Sequence, residues 1–320
     1  MSSLQNTTVA VTGGCGFIGS HLIQRLRRHA VRVLAIDSLD YGNRENLDLS
    51  DPDIRIEKLE LRSGTRERLQ KLLQGVDYVF HLAAEKHNQS INSPCRVLEA
   101  NVIGTYELLR AAVDVGVKKV VFTSSLYAYG RMGAPPMSEE EAPAPNTVYG
   151  ISKLSGEHLC RHFHMQSGIP AVCLRLFFTY GPRQYAGLGY KSVIVKNFDR
   201  MLNGQKPLVN GDGGQELDYI YVDDVVSALL LAMTGDDKFE VFNVGSGSAV
   251  SIHHLTKLMM EVAGVKTECE YGPPDFTAGS LRVASTVKFD RHFGPQTRVP
   301  LSEGLRRTFE WMASSRKDNA

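Results

Sequence analysis

Between a short β-branched run, Thr8-Val9-Ala10-Val11, and a stretch carrying Ile18, Leu22 and Leu26 at helical spacing lies Thr12-Gly13-Gly14-Cys15-Gly16-Phe17-Ile18-Gly19. Glycines crowded between a strand and a helix let the backbone approach a pyrophosphate, whose charge the free amides of the helix N-terminus stabilise. The next strand-like run, Val31 to Ile36, ends at Asp37. That is about 20 residues on, where a carboxylate accepts hydrogen bonds from an adenosine ribose. A 2′-phosphate placed there would be repelled by Asp37, so NAD is expected rather than NADP. An ordinary β-turn-α corner with a capping Asp has the same local look, and the rest of the chain must decide.

Strand-like segments continue at Ile54–Glu57, Asp77–Leu82, Lys119–Ser124 and Ala171–Phe177, with helical stretches such as Val97–Val115 and Ser152–Gln166 between them. This alternation predicts an α/β fold, a Rossmann-type doubly wound parallel sheet with helices on both faces. The last third is denser in Gly and Pro. It carries helical segments at Lys191–Leu202, Asp223–Met233, Ile252–Ala263 and Ser302–Ser314, and a strand at Glu240–Val244. The 320 residues suffice for one large or two smaller domains. The expectation is a cofactor domain over 1–180, with 218–247 returning to it, and a smaller α+β substrate domain from 181–217 and 248–320. The segment Ser314–Ala320 is expected to fray.

Thirty-six basic against 35 acidic side chains leave a formal charge of +1, which gives no electrostatic reason to expect nucleic acid or an anionic membrane as partner. No apolar stretch approaches the ~18 residues of a membrane span, and the N-terminus lacks a charged region followed by an apolar block. A soluble, cytoplasmic protein is expected. Five cysteines, at 15, 95, 160, 173 and 269, form no C-x-x-C pair, so reduced and mostly buried thiols are expected, with no structural metal.

Tyr149-Gly150-Ile151-Ser152-Lys153 sets a phenol and an ammonium four apart, on one face if helical. A nearby cation favours the phenolate and lowers the tyrosine pKa, which makes Tyr149 a candidate base toward a sugar hydroxyl. Phe122-Thr123-Ser124-Ser125 adds hydroxyls at a strand end, where open α/β sheets bind ligands.

On these motifs the sequence resembles the extended short-chain dehydrogenase/reductase family, in particular its NAD-dependent nucleotide-sugar epimerases and dehydratases, along nearly the whole chain. Thr12–Gly19 matches the family's TGxxGxxG loop, which implies cofactor contacts from Gly13, Gly16, Phe17, Ile18 and Gly19. Asp37-Ser38-Leu39, with Gly42 and Asn46-Leu47, is similar to the adenosine-binding segment. Glu60-Leu61 takes the place of the usual Asp-(Ile/Leu) pair beside adenine. His81-Leu82-Ala83-Ala84 resembles the strand lining the cofactor, Lys86 aligns with a cofactor-contacting lysine, and Asn101 with an asparagine near the active site. Ser124 is carried over as a cofactor contact. Ser125, Tyr149 and Lys153 correspond to the family's Ser-Tyr-Lys triad, with Tyr149 and Lys153 also at the cofactor. Arg175 to Pro182, Gly211-Asp212-Gly213, Asp218–Asp224 and Asn243–Gly247 match further motifs. Two departures concern the substrate: Phe178 stands where Asn is common and Leu217 where Arg is common. Arg282 matches a diphosphate-binding arginine, so Ser125, Tyr149, Phe178 and Arg282 are the substrate-contact candidates. The Tyr185–Tyr190 loop has no counterpart in the family pattern.

The resemblance implies a shared first step, in which a tyrosinate takes the C4 hydroxyl proton while C4 is oxidised by NAD to a ketone. Dehydratases carry Thr-Asp-Glu after the strand, and decarboxylases a Glu, to move further protons. Here Ser125-Leu126-Tyr127 stands there, and leucine transfers no proton. Epimerisation at C4 of a nucleotide-sugar, in the first place a UDP-sugar, needs nothing more and is the reading favoured. Alternatives are another reaction from the same ketone, with His87, Cys95 or Tyr127 as displaced acid/base groups, and a non-catalytic NAD-binding sensor. A homodimer through the helical stretches Val97–Val115 and Ser152–Gln166 is implied by the family, with core packing as the alternative use of the same apolar residues.

Overall fold

The computed structural model describes residues 4–130, 135–184 and 191–317. In chain order the strands and helices are β1 (Thr8–Thr12), α1 (Phe17–Arg27), β2 (Arg32–Asp37), β3 (Ile54–Lys58), α2 (Arg66–Leu73), β4 (Tyr78–His81), α3 (Gln89–Asn92), α4 (Pro94–Leu98), α5 (Gly104–Asp114), β5 (Lys119–Ser125), α6 (Val148–Ser167), β6 (Ala171–Leu176), β7 (Phe178–Tyr180), α7 (Val193–Leu202), β8 (Leu208–Asn210), β9 (Glu216–Tyr221), α8 (Val222–Thr234), β10 (Phe239–Val244), β11 (Ala249–Ser251), α9 (Ile252–Ala263), β12 (Glu270–Gly272), β13 (Leu281–Arg282), α10 (Val287–Phe293) and α11 (Leu301–Lys317). They fall into two compact units, one of Met1–Arg131, Glu139–Leu176 and Val226–Asn243, the other of Met132–Ser138, Phe177–Val225 and Val244–Ala320.

The first unit is built on a seven-stranded parallel sheet in the order β10-β6-β5-β4-β1-β2-β3. Its inner strands are buried along almost their whole length, β5 at all seven residues, as expected where helices cover both faces of a sheet. Leu34, Ile36, Leu69, Leu108, Phe122 and Phe163 belong to the core between sheet and helices. Helix α6 starts at Thr147, whose Oγ1 accepts from Gly150 N at 3.0 Å, and stops at Gly168 in the left-handed region. Two glycines press it onto β5. A Cβ at Gly156 would lie 2.3 Å from the Phe122 ring, and one at Gly150 would lie 2.3 Å from the Tyr127 carbonyl oxygen.

Within the expected helix Val97–Val115, a π-helical turn at Glu99–Ile103 separates α4 from α5. Within it the Asn101 side chain pairs with the backbone of Glu85. At the other end of the chain, α11 runs to Lys317, further than the expected fraying point, with the Ser314 and Ser315 hydroxyls bonded back to the Trp311 carbonyl.

The second unit centres on β9. It pairs antiparallel with β11 and parallel with β13 and β7; β8 and β12 form a separate parallel pair. Asp218 on β9 is fully buried, and its carboxylate accepts from the amides of Ser246, Gly247 and Ala284, tying three chain segments together. Phe198 of α7 packs on Phe309 of α11 at 5.1 Å between ring centres.

Candidate functional site

The strand order of the first unit reverses between β1 and β4, which places a crevice at their carboxyl ends. Gly13 turns the chain out of β1 at φ +69, with its amide on the Ile36 carbonyl at 2.7 Å. A Cβ on Gly13 would lie 2.9 Å from Ala83 N, and one on Gly19 would lie 2.2 Å from the Gly13 carbonyl oxygen. Neither position has room for a side chain. Helix α1 opens at Gly16 without a side-chain cap and without an acidic residue in its first turn, leaving amides and the positive end of its dipole for an anion. Leu82 and Ala83 are tied down by their amides on Thr12 Oγ1, at 3.2 and 3.1 Å. Below them His81 lies between Thr12 and Thr105, at 2.7 and 2.8 Å, and burial pushes its pKa down to about 3, so the ring is neutral.

At the end of β2, Asp37 Oδ2 accepts from Cys15 N at 2.9 Å and Oδ1 from Leu39 N at 2.8 Å. Each carboxylate oxygen retains a lone pair for a ribose hydroxyl. A Cβ at Gly42 would meet this carboxylate at 2.8 Å, so the loop after β2 folds directly over it. Lys86 lies over the Tyr41 ring at 4.5 Å, and burial lowers its pKa to about 8. Glu60 is reached by Arg96 at 3.5 Å, and Leu61 is buried against Gly104. Bare glycine backbone, an uncapped helix start and a buried carboxylate one strand away are together suited to a pyrophosphate and a ribose diol, and hence to NAD.

Ser125 ends β5, where its Oγ accepts from Tyr127 N at 3.3 Å and hydrogen-bonds with the Tyr149 hydroxyl. Lys153, one helical turn beyond Tyr149, has its Nζ 5.8 Å from the Tyr149 ring centre and donates to the Thr123 carbonyl at 2.9 Å. The three side chains expected to act together are brought together. The expected lowering of the phenol's pKa is not met within the chain itself: burial pushes Tyr149 up to about 12, against the lowering by its Ser125 bond. Burial also lowers the pKa of Lys153, to about 8. The Tyr149 ring meets two others nearly edge-on, Tyr127 at 5.7 Å and His87 at 6.0 Å, and those two stack at 4.4 Å. Cys95 is exposed on α4, unlike the buried Cys15, Cys160 and Cys173.

Asn101 joins the two halves of the site, donating to the Glu85 carbonyl at 3.1 Å and to Ser152 Oγ at 3.0 Å on the helix that carries Tyr149 and Lys153. Ser124 is buried and donates to Glu157 at 2.5 Å. The motif reading passed over Glu157, although its place eight residues after Tyr149 on one helix, and so on the same face, was a usable signal. Also unread was Arg96, which pairs with Glu85 at 2.8 Å and with Asp40, and so links the loops after β2 and β4.

Phe178 and Arg282 lie in the second unit. Phe178 is opposite Tyr219 and Arg282 opposite Leu217, so the four side chains share one face of the small sheet. Phe178 and Tyr219 touch, with ring centres at 5.7 Å. The Arg282 guanidinium lies 6.0 Å from the Phe276 ring centre. The Tyr185–Tyr190 loop lies outside the described residues.

Comparison with known proteins places this geometry. Residues 9–245 match the model of the NAD dependent epimerase/dehydratase family. A putative UDP-glucose 4-epimerase of Methanocaldococcus jannaschii is 31% identical over 316 residues, 97% of this chain and 99% of that one. Among solved structures, the UDP-N-acetylglucosamine 4-epimerase of Methanobrevibacter ruminantium superposes with a TM-score of 0.92 at 32% identity, covering 97% of this chain and 99% of that one. The dTDP-glucose 4,6-dehydratase of Streptomyces venezuelae, solved with NAD bound, superposes with a TM-score of 0.89 at 30% identity, covering 97% and 98%.

Proposed function

The chain belongs to the NAD-dependent epimerase/dehydratase family, and from that membership we propose that it inverts C4 of a nucleotide-sugar, a UDP-sugar in the first place, through a transient 4-ketone. The observation that carries the reading is the convergence of Ser125, Tyr149 and Lys153 at the carboxyl end of β5, in the same unit as the glycine loop after β1. Gly13, Gly16 and Gly19 would cradle the NAD pyrophosphate, Asp37 the adenosine ribose, and Lys153 the nicotinamide ribose. When bound, NAD supplies the acceptor for the C4 hydrogen and its electron pair, and returns them. The work of the chain is to move one proton. Tyr149 Oη takes it from the C4 hydroxyl and gives it back, Ser125 Oγ holds the same oxygen, and the Lys153 ammonium favours the charge on the phenolate.

Leu126 supports epimerisation over elimination of water, because it is an apolar side chain buried in the core at the place where dehydratases need a proton donor. Tyr127 is a phenol stacked on His87 there, not a carboxylate. The partial exposure of Leu98, Ile103, Tyr106 and Ile151 on α4, the π turn, α5 and α6 supports a homodimer, since apolar side chains of this size gain by being covered. Ile151→Glu is then expected to halve the mass measured by light scattering. The five free thiols fit a reducing, cytoplasmic setting.

Purified protein incubated in turn with UDP-, dTDP-, GDP- and CDP-sugars, with products read by NMR, tests the reading. Inverted C4 without a change of mass supports it. Loss of water makes the protein a dehydratase, and retained NAD without turnover makes it a binding protein.

A further inference from the structure

Helix α6 carries a third charged residue on the face of Tyr149 and Lys153. Glu157 follows Lys153 by four residues, one helical turn, and is as buried as the core, at 4% exposure. A carboxylate is rarely buried so deeply unless it is paired, and this one is held from two strands. From β6, Arg175 meets it with both arms of its guanidinium, Nε to Oε1 at 2.9 Å and Nη2 to Oε2 at 2.8 Å. From β5, Ser124 Oγ donates to Oε1. Arg175 is itself 4% exposed and lies over the Tyr129 ring at 4.5 Å.

The surroundings of Lys153 give that carboxylate something to act on. Its Nζ has one neutral acceptor, the Thr123 carbonyl on β5, with the Phe122 ring at 5.1 Å. On β4, His81 is neutral. On its own helix, Tyr149 is a protonated phenol in the unliganded site. Tyr127 of the turn after β5 packs on Tyr149, and Cys160 and Cys173 lie around Glu157. Arg175 is paired with Glu157. Lys153 bonds to Thr123 and Glu157 to Ser124, neighbouring residues of β5, so amine and carboxylate, one turn apart on α6, are held against the same strand end; there Glu157 favours the ammonium and burial opposes it.

We propose that Glu157 is a positioning residue of this site: fixed by Arg175 and Ser124, its carboxylate faces Lys153 and keeps that buried amine charged. The ion pair is thus more than a fastening between α6 and the sheet. It supplies the electrostatic condition under which Lys153 can favour a phenolate at Tyr149. The inference rests on the reading of Lys153 as the amine of the active site, but its effect is on an ionisation that can be followed without turnover.

The test is an NMR titration of protein labelled with 13C-lysine, the Lys153 signal being assigned by its loss in Lys153→Met. Wild type is expected to titrate near pH 8. In Glu157→Gln the midpoint moves to lower pH by a unit or more, a tenfold change in the protonation equilibrium. Because the single variant strands a buried guanidinium, Glu157→Gln with Arg175→Leu is measured alongside, and the same direction of shift is expected. A midpoint that stays in place in the folded variants, with only thermal stability lowered, overturns the proposal and leaves a structural ion pair. A shifted midpoint in a protein whose wild type turns over no nucleotide-sugar upholds the role of Glu157 and refutes the epimerase reading instead.

Discussion

Gly19→Ala is the sharpest single perturbation of the cofactor loop. The added Cβ would sit 2.2 Å from the Gly13 carbonyl oxygen, 2.8 Å from Gly14 Cα and 2.9 Å from Gly13 C. All three atoms are backbone, so no flexible side chain can yield, and the first contact is about 1 Å short of ordinary van der Waals distance. Relief requires α1 and the loop to part, moving the bare amides that face the crevice. Overpacking of this kind costs about 1–3 kcal/mol, and if it falls on the bound state NAD affinity drops roughly 5- to 150-fold. Titration calorimetry with NAD reads this directly. Gly116→Ala is the control: unlike Gly19 it strains only the backbone, forcing a side chain into the left-handed region at φ +77, in open space in the turn before β5. It is expected to lower the melting temperature and leave NAD affinity alone. Equal loss of affinity in both variants, or none in Gly19→Ala, refutes the argument that the close packing of Gly19 shapes the site.

His81 makes stability depend on acid. Its folded pKa is about 3 against an ordinary 6.5, so the stability it contributes is fully present above pH 6.5 and is lost as pH falls toward 3. At pH 5 the protein should be about 2 kcal/mol less stable than at pH 7 from this group, and urea unfolding of His81→Gln should show a flatter dependence over that range. Asp37→Ser removes the carboxylate that would oppose a 2′-phosphate. NAD binding should weaken and the preference for NAD over NADP should fall at least tenfold, as read by competition between the two, whereas an unchanged preference removes Asp37 from cofactor choice.

The doubly wound sheet was legible because its signals are local. β-branched runs, helical spacing and glycine corners each report their own segment. Tyr149 and Lys153 were legible for the same reason, being four apart on one helix. What the spacing could not convey is environment. The pKa of Tyr149 is set by how completely α6 is pressed onto β5, through Gly150 and Gly156, and that depends on residues distant in sequence. Glu157 and Arg96 escaped because their partners, Arg175 on β6 and Glu85 after β4, come from other strands. The π-helical turn at Asn101 escaped because it carries a contact with the Glu85 backbone that no periodicity announces.

In the proposed reaction hydrogen leaves C4 and returns to C4 inside the site while Tyr149 carries the hydroxyl proton. A UDP-sugar deuterated at C4, turned over in ordinary water and examined by NMR, tests it most directly. The label is expected on C4 of the inverted product, with no turnover in Tyr149→Phe. Inverted product that has lost its deuterium to solvent, or normal turnover by the phenylalanine variant, contradicts it.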